Sequence, residues 1–379
     1  MRADPEQPLA PLPKVDKPMG GTMSIWNFTR RKVMATALLA AFVPTTLAAQ
    51  ATYHLRFAEI GPPRGARAEA MQQWADDINT RSNGQVEIEF FWGGALASPS
   101  AMVEAVGSGL ADIGVVVAEY SAHLPRLLYA NIAYIENDPW VAMRATFDTL
   151  TQADPVHEQA TENGIQFLMN FAPGPIQILS REPVLSVEDF QGLRYRSTGA
   201  WLTWGQNMGA IPVALPLHES YQAIERGIVD AMAGFLSPMM AYKLYEVVPH
   251  VTMANAGQTS SYGITINKEL FDSMPEELRA IILEASIELM DHYGQALIEE
   301  TDAIRAQLTE GVDGFRVQFH DLPEEELARW RERAAFQIPE YIEETNGGGA
   351  DGQAIWDIYA ANLDRYREIV ATEGYPWAR

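Results

Sequence analysis

The chain has 379 residues, and its 27 basic side chains against 50 acidic ones leave a formal net charge of −23, a field that repels nucleic acid and anionic lipid alike. It contains no cysteine, which excludes a disulfide framework, a thiol nucleophile, a zinc-thiolate site and a lipid-bearing cysteine. Its length suffices for two lobes of ordinary domain size beyond a leader.

Residues 1–22 are proline-rich and polar and read as a non-translated or disordered extension ahead of Met23. Residues 23–51 read as a secretory signal peptide. Thr29-Arg30-Arg31-Lys32 is basic, residues 33–48 are apolar, and Ala49-Gln50-Ala51 is an A-x-A cleavage site. The apolar stretch is too short for a permanent membrane span. The paired arginines leave twin-arginine export open beside ordinary secretion. Removal of residues 1–51 takes away six basic and three acidic groups, so the exported chain is more acidic still. A site for an anion in it needs a local positive focus.

Alternation predicts a strand over residues 53–58, and the Gly61-Pro62-Pro63 turn leads to an amphipathic helix over 66–81, ended by Ser82-Asn83-Gly84. Residues 86–91 alternate again, a helix spans about 100–108, and the apolar run 114–118 reads as a strand buried on both faces. Strands alternating with helices predict parallel α/β lobes. Residues 184–189 read as a strand end and loop, Gly192 permits a sharp turn, and residues 193–196 run extended before a helix starting near Thr198.

Ser273-Met274-Pro275-Glu276 reads as a capping box, followed by apolar residues at helical spacing (Ile281, Ile282, Ala285, Leu289, Tyr293, Leu297, Ile304). An unbroken helix from 274 to 310 would span roughly 55 Å, more than one lobe. A kink near Gly294 is the alternative, since an interior glycine weakens a helix. Asp321-Leu322-Pro323-Glu324 predicts another helix start, residues 347–349 a glycine loop, and residues 353–371 a last helix.

Three words occur in order: Gly192-Leu193 with Arg196; Gly209-Ala210 with Pro212-Val213; and Glu219, Tyr221, Ala223, Gly227, Val229 and Asp230. This run resembles the substrate-binding subunits of tripartite ATP-independent periplasmic (TRAP) transporters, the DctP family. The stretch from Leu55-Arg56-Phe57-Ala58-Glu59 to Glu104 and Ile113 looks like the same family's first lobe. The resemblance implies an α/β, two-lobed periplasmic solute-binding protein with a long helix spanning both lobes. It also implies lobe I over 52–173 with 263–300 and lobe II over 174–262 with 301–379. The protein would be a monomer in the periplasm, with no cofactor, and its partners would be a small organic acid and the membrane permease subunits.

By the same resemblance, Arg196 holds the ligand carboxylate, for which a guanidinium offers a fixed fork of donors. Gly234 stands where most members carry an asparagine, with Phe235 beside it, and Leu217 stands where some carry an aromatic residue. Trp201 and Trp204 lie one turn apart on the helix after Arg196. Trp204 reads as core, and Trp201 as either core or cleft wall. Glu59 and Glu119-Tyr120 follow strands at their carboxyl ends, where open α/β sheets bind ligands; solvated loop carboxylates are the alternative. The seven histidines show no metal-ligand spacing, and no nucleophile elbow, phosphate loop or dinucleotide fingerprint occurs. A secreted α/β enzyme acting on carboxylates would need a nucleophile or acid-base pair that these residues do not supply. Delivery to a sensor kinase stays open beside transport. The expected ligand is an apolar or aromatic monocarboxylate, because a second carboxylate near Glu59 or Glu119 would meet like charge.

Overall fold

The computed structural model describes residues 53–379; the extension and leader expected over 1–51 lie outside the described residues. Strand β1 (Tyr53–Ala58), helix α1 (Ala66–Arg81) and strand β2 (Val86–Phe91) form as the sequence predicts. Helix α1 buries Met71, Trp74, Ala75 and Ile78, a stripe at i, i+3, i+4 and i+7 that turns one face to the sheet. Helix α2 (Met102–Gly107) leads to β3 (Ile113–Val117), buried along its whole length at the sheet's centre. Helix α3 (Pro139–Gln152) is capped by the Asp138 carboxylate, which accepts from the Trp140 and Val141 amides. Helix α4 (Asp154–Glu162) and strand β4 (Ile165–Phe171) follow.

The chain then crosses into a second sheet through residues 172–176. There it forms β5 (Gln177–Ser180), β6 (Arg194–Ser197), α5 (Gly199–Asn207), β7 (Ile211–Ala214), α6 (Ser220–Glu225), β8 (Ala231–Gly234), α7 (Leu236–Ala241) and β9 (His250–Met253). It returns through residues 254–261 into β10 (Tyr262–Asn267), followed by α8 (Lys268–Ser273) and α9 (Glu276–Glu310). Strand β11 (Gln318–Asp321) and helices α10 (Glu324–Glu332), α11 (Gln337–Gly347) and α12 (Gly352–Glu373) complete the order.

The strand orders are β2-β1-β3-β10-β4 and β11-β9-β5-β8-β6-β7. Pairing is parallel within β1, β2, β3 and within β6, β7, β8, but β10 runs antiparallel to β3 and β4, and β5 antiparallel to β8 and β9. Both sheets are therefore mixed, which corrects the purely parallel expectation. The strands β5 and β10 enter from the other sheet instead of over a crossover helix, so nothing forces them into the parallel direction. The two crossing segments also pair with each other: Ile176 donates to Gly257 O at 2.8 Å and Ala256 donates to Ile176 O at 3.0 Å.

Helix α9 runs unbroken for 35 residues. Its first part (Leu278, Ile282, Ala285, Leu289, Tyr293, Leu297) packs with Met71 and Trp74 under the first sheet. Ile304 and Leu308 pack with Val229, Met232 and Val251 under the second. The helix thus ties both lobes. Gly294 marks a close approach instead of a kink, since a β-carbon there would lie 3.1 Å from Trp140. The capping box is absent: Ser273 Oγ donates to Leu270 O and closes α8, and α9 starts after Pro275. Asp321 likewise pairs with Arg305 and does not cap α10. Helix α10 packs on the second sheet through Trp330. Helices α11 and α12, which sequence reasoning put with that lobe, return to the first through Tyr341, Ile355, Tyr359 and Leu363.

Candidate functional site

Strands β3, β6 and β8 end at a cavity between the two sheets, with about 830 Å³ of atom-free space partly continuous with solvent. Val115, Val117, Glu119 and Tyr120 wall it from the first sheet, and Arg196, Thr198, Trp201 and Phe235 from the second. Pro173, Ile176, Thr259 and Tyr262 come from the crossing segments and the start of β10.

Arg196 is 4% exposed. Its Nε donates to Leu215 O at 2.9 Å and its Nη1 more weakly to Ala233 O at 3.4 Å. Among the described residues no carboxylate comes within ion-pair distance of it, whereas Arg194, two residues earlier at the exposed start of β6, pairs with Asp230. A buried cation without an anion is costly. The remaining Nη protons of Arg196 are free for a ligand, so the salt-bridged surface role belongs to Arg194.

Glu119 follows β3 and lies across the cavity from β6. Thr198 Oγ1 donates to its Oε2 at 3.0 Å, while its Oε1 is shut from solvent without a partner. Burial pushes its carboxyl up from 4.5 to about 7, against the pull of the Thr198 hydroxyl and the Arg196 charge. Gly199, at φ 48°, lets the helix start come close: a β-carbon there would sit 3.1 Å from Glu119 Oε1. The Leu217 amide donates to Tyr120 Oη at 3.3 Å, and Arg64 Nε donates to Ala241 O at 2.6 Å. These contacts join the two lobes across the cleft.

Of the residues singled out from sequence, Arg196, Glu119, Tyr120, Trp201, Leu217 and Phe235 come together here. Trp201 is both readings at once, 1% exposed in the core of the second lobe and on the cavity wall. Trp204 is core, its indole N–H donating to Trp330 O. Two residues are corrected. Glu59 does not face the cavity: it is 0% exposed and accepts from the Gly61 amide at 2.6 Å and from Arg67 Nη1 at 2.9 Å. Gly234 is also off the wall, because strand alternation turns its β-carbon position toward Leu179, at 2.8 Å, while Ala233 and Phe235 on either side line the cavity.

Sequence reasoning missed Arg67, Thr198, His218, Tyr242 and Tyr262, all on the wall. For Arg67 a signal existed: a basic residue in the first turn of a helix opposes the helix dipole, so its place there calls for another partner. Among the described residues no group of three or more His, Asp or Glu side chains is placed to hold a metal ion.

Two α/β lobes joined by paired crossing segments and one long helix, with a cavity between them, define a two-lobed binding protein. The chain belongs to the DctP family, the bacterial extracellular solute-binding proteins of family 7, which its residues 57–345 match. It is 25% identical over 293 residues to a solute-binding protein of Sulfitobacter sp. strain NAS-14.1, covering 75% of this chain and 86% of that one. Solved structures share the fold. A marine-metagenome TRAP solute-binding protein specific for aromatic acids, in complex with 3-hydroxybenzoate, superposes with TM-score 0.75 at 21% identity over 84% of this chain and 99% of its own. A Bordetella pertussis extracytoplasmic solute receptor binding pyroglutamic acid gives TM-score 0.71 at 20% identity over 81% and 99%. No helix among the described residues is long and apolar enough to cross a membrane.

Proposed function

We propose that the protein captures a small organic acid in the cavity, with the ligand carboxylate on Arg196, and delivers it to the membrane permease of a TRAP transporter. The observation that carries this reading is the buried Arg196 guanidinium with no carboxylate partner among the described residues. An anion entering the cavity would supply the missing charge and fill the free Nη donors in the paired geometry that a carboxylate offers. Val115, Val117, Ile176 and Phe235 make the rest of the wall largely apolar, which favours a flat or branched hydrocarbon body on the acid. The two solved relatives described above bind 3-hydroxybenzoate and pyroglutamic acid, both compact ring-bearing monocarboxylates. Function is capture and hand-over with no bond chemistry: the ligand is held because the closed lobes bind it better than open ones.

A thermal-shift screen of organic acids, followed by calorimetric titration of the hits, tests this reading. Ring-bearing or branched monocarboxylates raise the melting temperature more than succinate or malate at equal concentration, since stabilisation follows occupancy. Tighter saturable binding of a C4 dicarboxylate contradicts the ligand class. Export is part of the proposal. Mass spectrometry of the periplasmic protein should find a species trimmed near Ala51, and retention of residues 23–48 would count against it.

A further inference from the structure

We infer that Arg67 forms a second polar subsite in the same cavity, and that the ligand therefore carries a neutral oxygen acceptor, a hydroxyl or a carbonyl, besides its carboxylate. This rests on the proposed capture of an organic acid by Arg196. Arg67 also borders a smaller space toward the start of helix α1, with Pro238, Tyr242 and Tyr262, in which Arg196 takes no part. Arg67 thus reaches space that Arg196 does not. Of the N–H groups on Arg67, one is used, Nη1 donating to Glu59 Oε2 at 2.9 Å. An arginine only donates, so whatever meets its other N–H groups is an acceptor.

Charge decides which kind of acceptor. Glu59 is fully buried and fixed by the Gly61 amide at 2.6 Å, and it already neutralises Arg67. A second ligand carboxylate at Arg67 would come against the Glu59 carboxylate in a desolvated place, where like charges are costly. A neutral oxygen takes the same donors without that repulsion. Two further observations point to a ligand with more hydrogen-bonding capacity than one carboxylate on Arg196. Trp201 Nε1 and Thr259 Oγ1 belong to wall residues that are 1% and 6% exposed, and both atoms are without a partner. Such orphaned buried groups are uncommon unless something fills the site. A site built to hydrogen-bond a ligand oxygen rejects the analogue that lacks it, because the donors are then left unpaired.

The test is calorimetric titration with acids in matched pairs that differ by one oxygen: benzoate with 3-hydroxybenzoate, and phenylacetate with mandelate and with 3-hydroxyphenylacetate. Succinate is run beside them. Wild type, Arg67→Lys and Arg196→Lys are compared. Arg67→Lys keeps the charge opposite Glu59 and loses the planar array of donors. In wild type the added oxygen should tighten at least one pair by about tenfold or more. In Arg67→Lys that gain should fall below about threefold. Arg196→Lys should weaken both members of a pair alike. If Arg67→Lys does not fold, the double variant Glu59→Gln with Arg67→Gln, which removes both charges together, gives the same readout. A gain from the oxygen that survives in the Arg67 variant, or no gain in any pair, overturns the inference, as does succinate binding more tightly than every monocarboxylate. Binding unaffected by Arg196→Lys, or no binding of any acid, instead defeats the underlying reading.

Discussion

At the scale of single residues, Glu119 couples the site to pH. Its folded-state carboxyl sits at about 7, above the ordinary 4.5, because burial disfavours its anion. The folded protein holds this proton more tightly than the unfolded chain does. Stability from this group is therefore undiminished below pH about 4.5, falls as pH rises to about 7, and then levels off. Urea unfolding at pH 5.5 and pH 8 should show the loss in wild type and a smaller one in Glu119→Gln. Equal losses would remove Glu119 as the cause. Binding carries the same sign, since an anionic ligand beside Glu119 favours its protonated form. Affinity for an acid should weaken above pH about 7 and do so less in Glu119→Gln. Arg196, Thr198, His218 and Arg67 share the cavity, with Glu59 paired to Arg67 behind the wall, so only the difference between wild type and this variant isolates the effect.

Legibility at this scale followed the reach of the pattern. Arg196 was readable because it stands in an ordered run of words, and Trp201 because it lies one turn into the next helix. The partner of Glu59 was not, because Arg67 is eight residues away across a Gly-Pro-Pro turn, beyond any helical or strand period. Gly234 was misplaced for a simpler reason. Register along β8 turns alternate residues to opposite faces, and a motif position does not reveal which face it takes.

At the scale of elements, strand β6 and helix α5 set the height of Arg196, and Gly205 permits their contact. A β-carbon at Gly205 would fall 2.3 Å from the Tyr195 ring, which is itself fully buried. Alanine gains about 1 kcal/mol of helix propensity, but overpacking of a filled core costs roughly 1–3 kcal/mol, and at this separation the overlap wins. Gly205→Ala should lower the melting temperature, and an unchanged or raised value would show that α5 shifts freely on the sheet. The elements α1, β1 and β2 were legible from periodicity alone because each packs one face on a local neighbour. The direction of β10 was not, since it is set by the crossing from the second sheet, and neither was the placement of α12 on the first lobe. Both are fixed by partners more than 90 residues distant in sequence, such as Tyr262 opposite Phe171 and Asn362 bonded to Thr149.

At the scale of the whole molecule, the lobes are linked by two crossing segments and helix α9, and they meet across the cleft through Thr198 on Glu119 and Leu217 on Tyr120. A ligand that touches Arg196 on one lobe and Arg67 on the other adds to those contacts only when the lobes are closed, so closure and binding are one equilibrium. Small-angle scattering should show the molecule becoming more compact on saturation with a binding acid, and an unchanged radius of gyration would mean that the lobes are already shut without it. The central claim is that one buried guanidinium anchors the ligand. Calorimetric titration of wild type and Arg196→Ala with the tightest-binding acid tests it most directly. Loss of one side of a buried charge pair should remove roughly 2–5 kcal/mol of binding, whereas an affinity within about threefold of wild type would contradict the account.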